Sequence, residues 1–344
     1  MAPTNTAAWL KSEKAYPLEI DTAPYTHPGE NELVIKNHSI GLNLVDYARQ
    51  DLGSALFAWT PYPAILGSDV AGEVVEVGPG TISSRFKPGD RVLGLTGELK
   101  STRSCQGAFQ TYVVLKAHMT SPIPSNLSYA DAAGIPLGIS TAACGLFQKD
   151  YLALQHPIAP QAPSTGQTVL IWSGSSSVGS NAIQLAVAAG YEVITTASPR
   201  NYDFVKSLGA SHVFDYKSET VVEDIIATFA GKCSAGALAI GTGSPEKCGE
   251  IVARVEGRKF VALVSPPSGP LADGVESKFV FGGDLAENEV GPAIFVDFLP
   301  AALKEGSFVS APKVEVVSEG LESVQEALNV LKKGVSAKKL VVSL

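Results

Sequence analysis

Apolar positions along this chain follow two rhythms. Between residues 32 and 114 they come as short runs cut by Gly/Pro turns: 32–40, 62–80, 86–93 and 107–114. Short strands at that spacing predict a compact all-β barrel rather than a helix bundle. After Pro122-Ile-Pro124 the texture changes. Residues 128–133 and 140–147 read as helices, the first opened by a Ser128/Asp131 capping box. A Pro-rich connector, 154–163, then leads into alternating strands and helices. Strands are expected at 168–172, 191–198, 212–216, 237–241, 259–264 and 278–281, with helices at 180–189, 201–208, 218–229 and 245–255. Such alternation implies a parallel sheet with helices on both faces. From Gly291 on, a helix, a strand (313–317), a helix (321–332) and a strand (339–343) look like a return to the first domain.

One unit stands out within the second rhythm. The strand 168–172 is apolar and β-branched, as a doubly buried strand should be. It runs into Ser173-Gly-Ser-Ser-Ser-Val-Gly179 and then a helix that Gly190 stops. This is the glycine-rich turn of a dinucleotide site, Gly174-x-Ser176-x-x-Gly179, with serine in place of the middle glycine. Gly174 permits the bend and Gly179 lets helix and strand pack closely. The backbone of Ser175, Ser176, Ser177 and Val178 is expected to face a pyrophosphate on the helix N-terminus.

Length and composition narrow the class. The 344 residues exceed what one core usually serves, so two domains are expected. A formal net charge of −8 argues against a nucleic-acid or anionic-membrane surface. No uninterrupted apolar run approaches a bilayer span of about 20 residues, and residues 1–10 lack a signal-peptide pattern. Four scattered cysteines without a C-x-x-C pair fit reduced thiols, and a cytoplasmic location is the expectation.

A barrel of strands, an inserted dinucleotide unit and a C-terminal return resembles the medium-chain dehydrogenase/reductase superfamily. The markers are Gly67-Ser-Asp-Val-Ala-Gly-Glu-Val-Val-Glu-Val-Gly78, Phe86-Lys-Pro-Gly-Asp-Arg-Val92 and Gly107-Ala-Phe-Gln-Thr-Tyr112. The glycine-rich segment, with Thr195-Thr-Ala-Ser-Pro-Arg-Asn201, is most similar to fungal zinc-independent reductases, including trans-acting enoyl reductases that serve polyketide synthases. The resemblance implies a GroES-like β-barrel catalytic domain (1–122 and 284–344) and a Rossmann doubly wound parallel sheet (123–283). It also implies a monomer or homodimer, with the strand at 278–281 as the usual seam.

Zinc-dependent members of that superfamily carry Cys, His and Cys where this chain has Asn43, Ser68 and, nearby, Leu137. Those replacements do not supply tetrahedral N/S ligands, so no metal is expected. Without a Lewis acid, reducing an isolated ketone is hard, because the developing oxyanion needs strong stabilisation. A C=C conjugated to a carbonyl spreads its charge into an enolate and demands less. The expectation is therefore a reductase of enones or enoyl chains, small or carrier-bound. Aldehyde or quinone reduction is the alternative. A non-redox accessory protein, or an enzyme using the cleft without redox chemistry, is the third reading.

The second strand of the dinucleotide unit ends in Ala197-Ser-Pro-Arg-Asn201, without the acid that grips an NAD ribose. Ser198 as N-cap, Pro199 at the first helical position, Arg200 as cation and Asn201 beside them predict NADPH. The resemblance adds cofactor contacts at Asn43, Tyr216, Leu263, Val264, Val335, Ser336 and Lys338. It implies catalytic roles for Asn43, Asp46 and Thr141, the last toward the nicotinamide carboxamide; turn-forming and N-cap roles are the structural alternatives. Substrate-lining candidates are Pro136, Leu137, Gly138, Ile139 and Ser140, with Phe281, Gly282 and Gly283 at a strand end. Tyr47 and Tyr62 are the available phenols, and solvent is the other source of a proton.

Overall fold

The structure, a computed structural model, describes residues 3–344. The chain divides into two compact units, Met1–Leu137 with Val309–Leu344, and Gly138–Phe308. These junctions differ from the expected 122/123 and 283/284. The helix Tyr129–Ala133 packs on first-unit strands, and Gly282 is tied to Ser140 of the second unit, 2.7 Å from hydroxyl to carbonyl.

In the first unit the strands are β1 (Asn5–Leu10), β2 (Glu19–Ala23), β3 (Glu32–Gly41), β4 (Ala64–Ile65), β5 (Asp69–Val77), β6 (Arg91–Leu95), β7 (Tyr112–Lys116) and β8 (Thr120–Pro122). The second unit holds β9 (Gln167–Ile171), β10 (Glu192–Ala197), β11 (His212–Asp215), β12 (Cys233–Ala239), β13 (Phe260–Leu263) and β14 (Glu276–Phe279). The chain then returns to the first unit as β15 (Lys313–Glu319) and β16 (Lys338–Ser343).

β3 is the hub of the first unit. Its first half pairs with β7, from Glu32↔Lys116 to Lys36↔Tyr112, and its end pairs with β16, where Gly41 faces Val341. Its other edge carries β5 along its whole length, ending at Gly41↔Asp69. Register shifts after Val34 and Asn37 let one ten-residue strand serve all three neighbours. The ladder runs β15-β16-β3-β5-β6-β8, and a smaller sheet is ordered β2-β1-β4. The described pairings are those of an ordered series and do not by themselves close a barrel. Leu33, Ile35, Val113 and Leu115 are fully buried where β3 and β7 meet. Each contributes about 1.5–3 kcal/mol of apolar transfer.

All ladders of the second unit are parallel, in the order β11-β10-β9-β12-β13-β14. β9 is central, and Thr168–Ile171 is buried on both faces, which explains its unbroken apolar run. The strand order reverses between β9 and β12. Ligands of open α/β sheets bind at such a reversal, beyond the carboxyl ends of the strands. The last strand lies two residues earlier than expected, Glu276–Phe279, and all four residues are exposed. By length and composition alone the stretch Tyr129–Phe147 could cross a membrane, although it is mostly buried within the fold.

Candidate functional site

At the reversal, β9 gives way to the turn 172–176 and the helix Ser177–Ala188. Ser173 takes φ +63°, a left-handed conformation that costs a side-chain-bearing residue energy unless its surroundings hold it. They do so from both sides. Its N–H donates to Thr196 Oγ1 at 3.0 Å, and its hydroxyl donates to the Ile240 carbonyl at 2.8 Å. A Cβ on Gly174 would lie 2.2 Å from Thr195 Oγ1, and one on Gly179 would lie 2.2 Å from the Ser173 carbonyl. Both glycines are therefore demanded by close approach. Ser176 uses its hydroxyl as the helix cap: it accepts from the Gly179 N–H at 3.0 Å and donates to Ser173 O at 2.8 Å. The serine in the middle of the motif thus substitutes a side-chain cap for a glycine's backbone freedom.

Other expected residues gather around this turn. Gly138 packs so tightly against it that a Cβ would lie 2.7 Å from Ser177 Oγ and from Asn181 Nδ2. Ser177 Oγ and Asn181 Oδ1 are buried without a hydrogen-bond partner. Buried orphan groups are rare and call for a ligand or water. The Ser140 hydroxyl donates to Gly282 O, which joins the 138–140 and 281–283 segments. Ile139 is fully buried, and Thr141 lies well inside the helix Pro136–Phe147, which removes the N-cap explanation for it.

Next to the turn, Asn201 Nδ2 donates to Ser175 Oγ at 3.4 Å. Pro199–Asn201 forms a 3-10 turn whose N-cap is Ser198, but the Ser198 hydroxyl makes no capping bond. Arg200 is exposed. Leu263 closes β13, and the Val264 N–H donates to Ala239 O at 2.8 Å. Tyr216 follows β11 and is 37% exposed, enough to offer a ring face to a ligand. Two cations near it were not anticipated. Lys247 Nζ donates to the Tyr216 carbonyl at 3.4 Å and stands over the Trp172 ring, and Lys217 lies over the Tyr216 ring. Lys217 lies in the turn after β11 and Lys247 in the first turn of the helix Ser244–Arg254, and no motif in the sequence marks either as a cation beside Tyr216.

The first unit holds a second group of expected residues. Asn43 precedes the helix Leu44–Leu52, and Asp46 is its third residue. Asp46 Oδ2 accepts from the Asn43 N–H at 2.8 Å; Oδ1 is buried with no partner. Burial, with Asp69 nearby, raises the Asp46 pKa from 3.8 to about 7 against the opposing Asn43 hydrogen bond and the Lys339 and Arg49 charges. Such a carboxyl retains its proton near neutrality. The Asn43 Nδ2 donates to Asp69 Oδ2 at 3.0 Å, and its Oδ1 accepts from Lys339 Nζ at 2.5 Å. Lys339 also reaches Asp69 Oδ2 at 2.8 Å, and Asp69 Oδ1 accepts from the Leu137 N–H at 2.6 Å. Asp69 and Lys339 were missed by the sequence reading. Strand alternation was the available signal: Lys338, chosen instead, faces outward to Glu315, so its neighbour must face inward.

Val335 and Ser336 are exposed in the loop before β16. Tyr47 is half-buried beneath Lys332, and Pro136 opens the helix that leads out of the unit. The Tyr62 hydroxyl is buried without a partner, and burial pushes its phenol up. Ser68 donates to Glu98 Oε1 at 3.1 Å, while Glu98 also pairs with buried Arg49, which reaches Thr60 at 3.0 Å. A zinc ion fits none of this. Asn43 offers an amide, Ser68 a hydroxyl committed to Glu98, and Leu137 only a backbone N–H committed to Asp69. Among the described residues no group of three or more His, Cys, Asp or Glu could hold a metal ion.

Comparison with known proteins agrees with this architecture. Residues 29–125 match the alcohol dehydrogenase GroES-like domain, and residues 177–245 match the zinc-binding dehydrogenase family. The chain is 51% identical to dehydrogenase pigH of Monascus ruber, covering 99% of this chain and 100% of that protein. The chain belongs to the medium-chain dehydrogenase/reductase superfamily. It is 39% identical to trans-enoyl reductase himH of Aspergillus japonicus, over 99% of this chain and 97% of that one. Among solved structures, an alcohol dehydrogenase superfamily protein from Novosphingobium aromaticivorans matches with a TM-score of 0.78 and 26% identity, over 99% and 100% of the two chains. As a superfamily member this is an NAD(P)-dependent oxidoreductase, of the type without a zinc donor set and related to fungal trans-enoyl reductases. The Ser173–Gly179 turn, with its tight glycines, capped helix and orphaned Ser177 hydroxyl, fits a dinucleotide.

Proposed function

We propose that this protein is an NADPH-dependent reductase of activated alkenes, acting on the β-carbon of an enone or enoyl chain. The observation that carries the reading is the replacement of every zinc ligand by an amide, a hydroxyl and an aliphatic residue, beside a buried carboxyl that holds its proton to about pH 7. Such a donor set suits a delocalised enolate better than the localised oxyanion of a simple ketone. The name of the himH relative, a trans-enoyl reductase, supports the same substrate class and a role in trans.

NADPH supplies the hydride. In the second unit, the N–H groups of Ser177 and Val178 are left by the Ser176 cap to meet the pyrophosphate. Ser198 and Arg200, with Asn201, bind the 2′-phosphate, and Tyr216 covers the adenosine. Thr141 orients the nicotinamide carboxamide. In the first unit, Asn43 presents an N–H to the enolate oxygen. Asp46, fully buried, acts through Asn43 rather than by touching substrate.

NADPH consumption with an enone, an aldehyde and a quinone tests the reading, followed by a carrier-bound enoyl chain against its small-thioester mimic. Preference for the enone supports it, and a response to the carrier-bound chain alone supports the trans role. Turnover of aldehyde or quinone only assigns the other reductase class. Tight NADPH binding without turnover of any substrate leaves the accessory, non-redox reading.

A further inference from the structure

We infer that Asp69 and Lys339 are positioning residues that fix the orientation of the Asn43 carboxamide for the reaction. The inference rests on the role proposed for Asn43 above. Both residues are withdrawn from water: Asp69 is wholly buried and Lys339 is 4% exposed, with Nζ 2.8 Å from Oδ2. Burying such a pair costs desolvation that its attraction does not reliably repay, and an apolar pair of the same size would serve stability as well. The geometry shows what the pair does instead.

Gly41, at the end of β3, pairs with Asp69 on one side and Val341 of β16 on the other, so the two charges flank the point where the chain leaves the sheet. Asn43 follows two residues later. A carboxamide has an acceptor end and a donor end, and its two orientations are nearly equal in shape. Here the ammonium sits 2.5 Å from Oδ1 and the carboxylate 3.0 Å from Nδ2. Turning the amide over would set oxygen against carboxylate and NH2 against ammonium. The charges therefore leave one orientation. They also polarise the amide, since a cation on the oxygen strengthens the N–H as a donor. One N–H faces Asp69, and the other makes a long 3.4 Å hydrogen bond to Gly41 O, weak enough to be exchanged for a developing negative charge. Asp69 is itself anchored by the Leu137 N–H, which keeps its second oxygen on Asn43.

The test is a mutant cycle in the full-length protein. Lys339→Met with Asp69→Leu removes both charges together, so neither is left buried alone; Asp69→Asn is the milder variant should the pair fail to fold. NADPH binding is followed by fluorescence titration, and kcat and KM are measured on the preferred substrate. The expected result is NADPH affinity within about threefold, KM within about threefold, and kcat reduced about tenfold to a hundredfold. Asp69→Asn, which sets a donor against Nδ2, should lower kcat about threefold or more. In an Asn43→Ala background the same changes should add little, and Lys339→Arg should recover most of the activity. Crystals of the charge-free variant should show the Asn43 side chain turned or disordered. Losses that multiply with Asn43→Ala, a folded variant with unchanged kcat, or an Asn43 side chain that stays in place would each overturn the inference. If the wild type reduces only aldehydes or quinones, the enone reading fails by itself and the cycle is run on that substrate.

Discussion

The glycine-rich turn of the second unit and the Asn43 cluster of the first are built on opposite plans. The turn is made of backbone. It is one contiguous run, Ser173 to Gly179, in which Gly174 and Gly179 have no room for a Cβ, and in which the helix-start N–H groups of Ser177 and Val178 have no intrahelical partner while the Ser176 hydroxyl caps the Gly179 N–H. The Asn43 cluster is made of side chains drawn from the end of β3, the start of a helix, the start of β5 and the last strand. A backbone site tolerates changes in side chain but not in size. A side-chain site tolerates changes in neither charge nor orientation, and small chemical edits should be felt at once.

The largest effect expected from this contrast is at Gly179. A methyl group there would meet the Ser173 carbonyl, which is backbone and cannot swing away. Gly179→Ala should weaken NADPH binding about a hundredfold or more, roughly 3 kcal/mol, measured by calorimetry on protein shown to be folded by circular dichroism. Wild-type affinity in that variant would break the close-approach argument. Arg200→Asp should come next. It places a negative charge where a 2′-phosphate is expected and should shift the NADPH/NADH preference toward NADH by about tenfold to a hundredfold. Equal losses for both cofactors would sink the assignment of NADPH.

Asp46 tests the other plan through pH. Its folded-state pKa of about 7 stands above the ordinary 3.8, so the folded chain binds this proton more tightly than the unfolded one. The stability gained is complete below about pH 4 and is lost as pH rises through about 7. Asp46→Asn is neutral at every pH and keeps an acceptor for the Asn43 N–H. Its melting temperature relative to wild type should rise by a few degrees between about pH 5 and about pH 8. A constant difference across that range would show that Asp46 does not titrate there.

The two plans also explain how much could be read from the residues alone. The strand–turn–helix unit was legible because its parts are contiguous, and the parallel sheet followed from strand–helix alternation, although its strand order did not. Ser176 was read only as small; that its hydroxyl caps the helix depends on its distance to the Gly179 N–H, which spacing does not reveal. In the first unit Asn43 and Asp46 were named from the resemblance of the contiguous segment Asn43-Leu-Val-Asp46, and the structure joins them by a hydrogen bond within one turn. Asp69 lies 26 residues beyond Asn43 and Lys339 lies 296 beyond it, so only the folded ladder of β16, β3 and β5 brings them together. The first boundary between the compact units, Leu137/Gly138 against the expected 122/123, has a similar origin. The segment 128–133 was read as a helix and grouped with the Rossmann domain because the strand texture stops before it, yet the helix Tyr129–Ala133 packs on first-unit strands.

The smallest effect sharpens the same point. Ser176→Gly restores the usual glycine and removes only the cap, so it should lower stability by a few tenths of a kcal/mol and leave NADPH affinity within about threefold. A large loss of affinity would mean that the Ser176 hydroxyl touches the cofactor rather than the helix.

The central claim, hydride transfer from NADPH to an activated alkene without a metal, meets its most direct test in isotope transfer. Chelator-treated protein is supplied with an enone and with NADPH deuterated at the transferable position, and the product is analysed for the site of label. The account predicts full activity after chelation and deuterium on the β-carbon. Activity that vanishes with the chelator and returns with zinc, or label that never reaches the β-carbon, would contradict it.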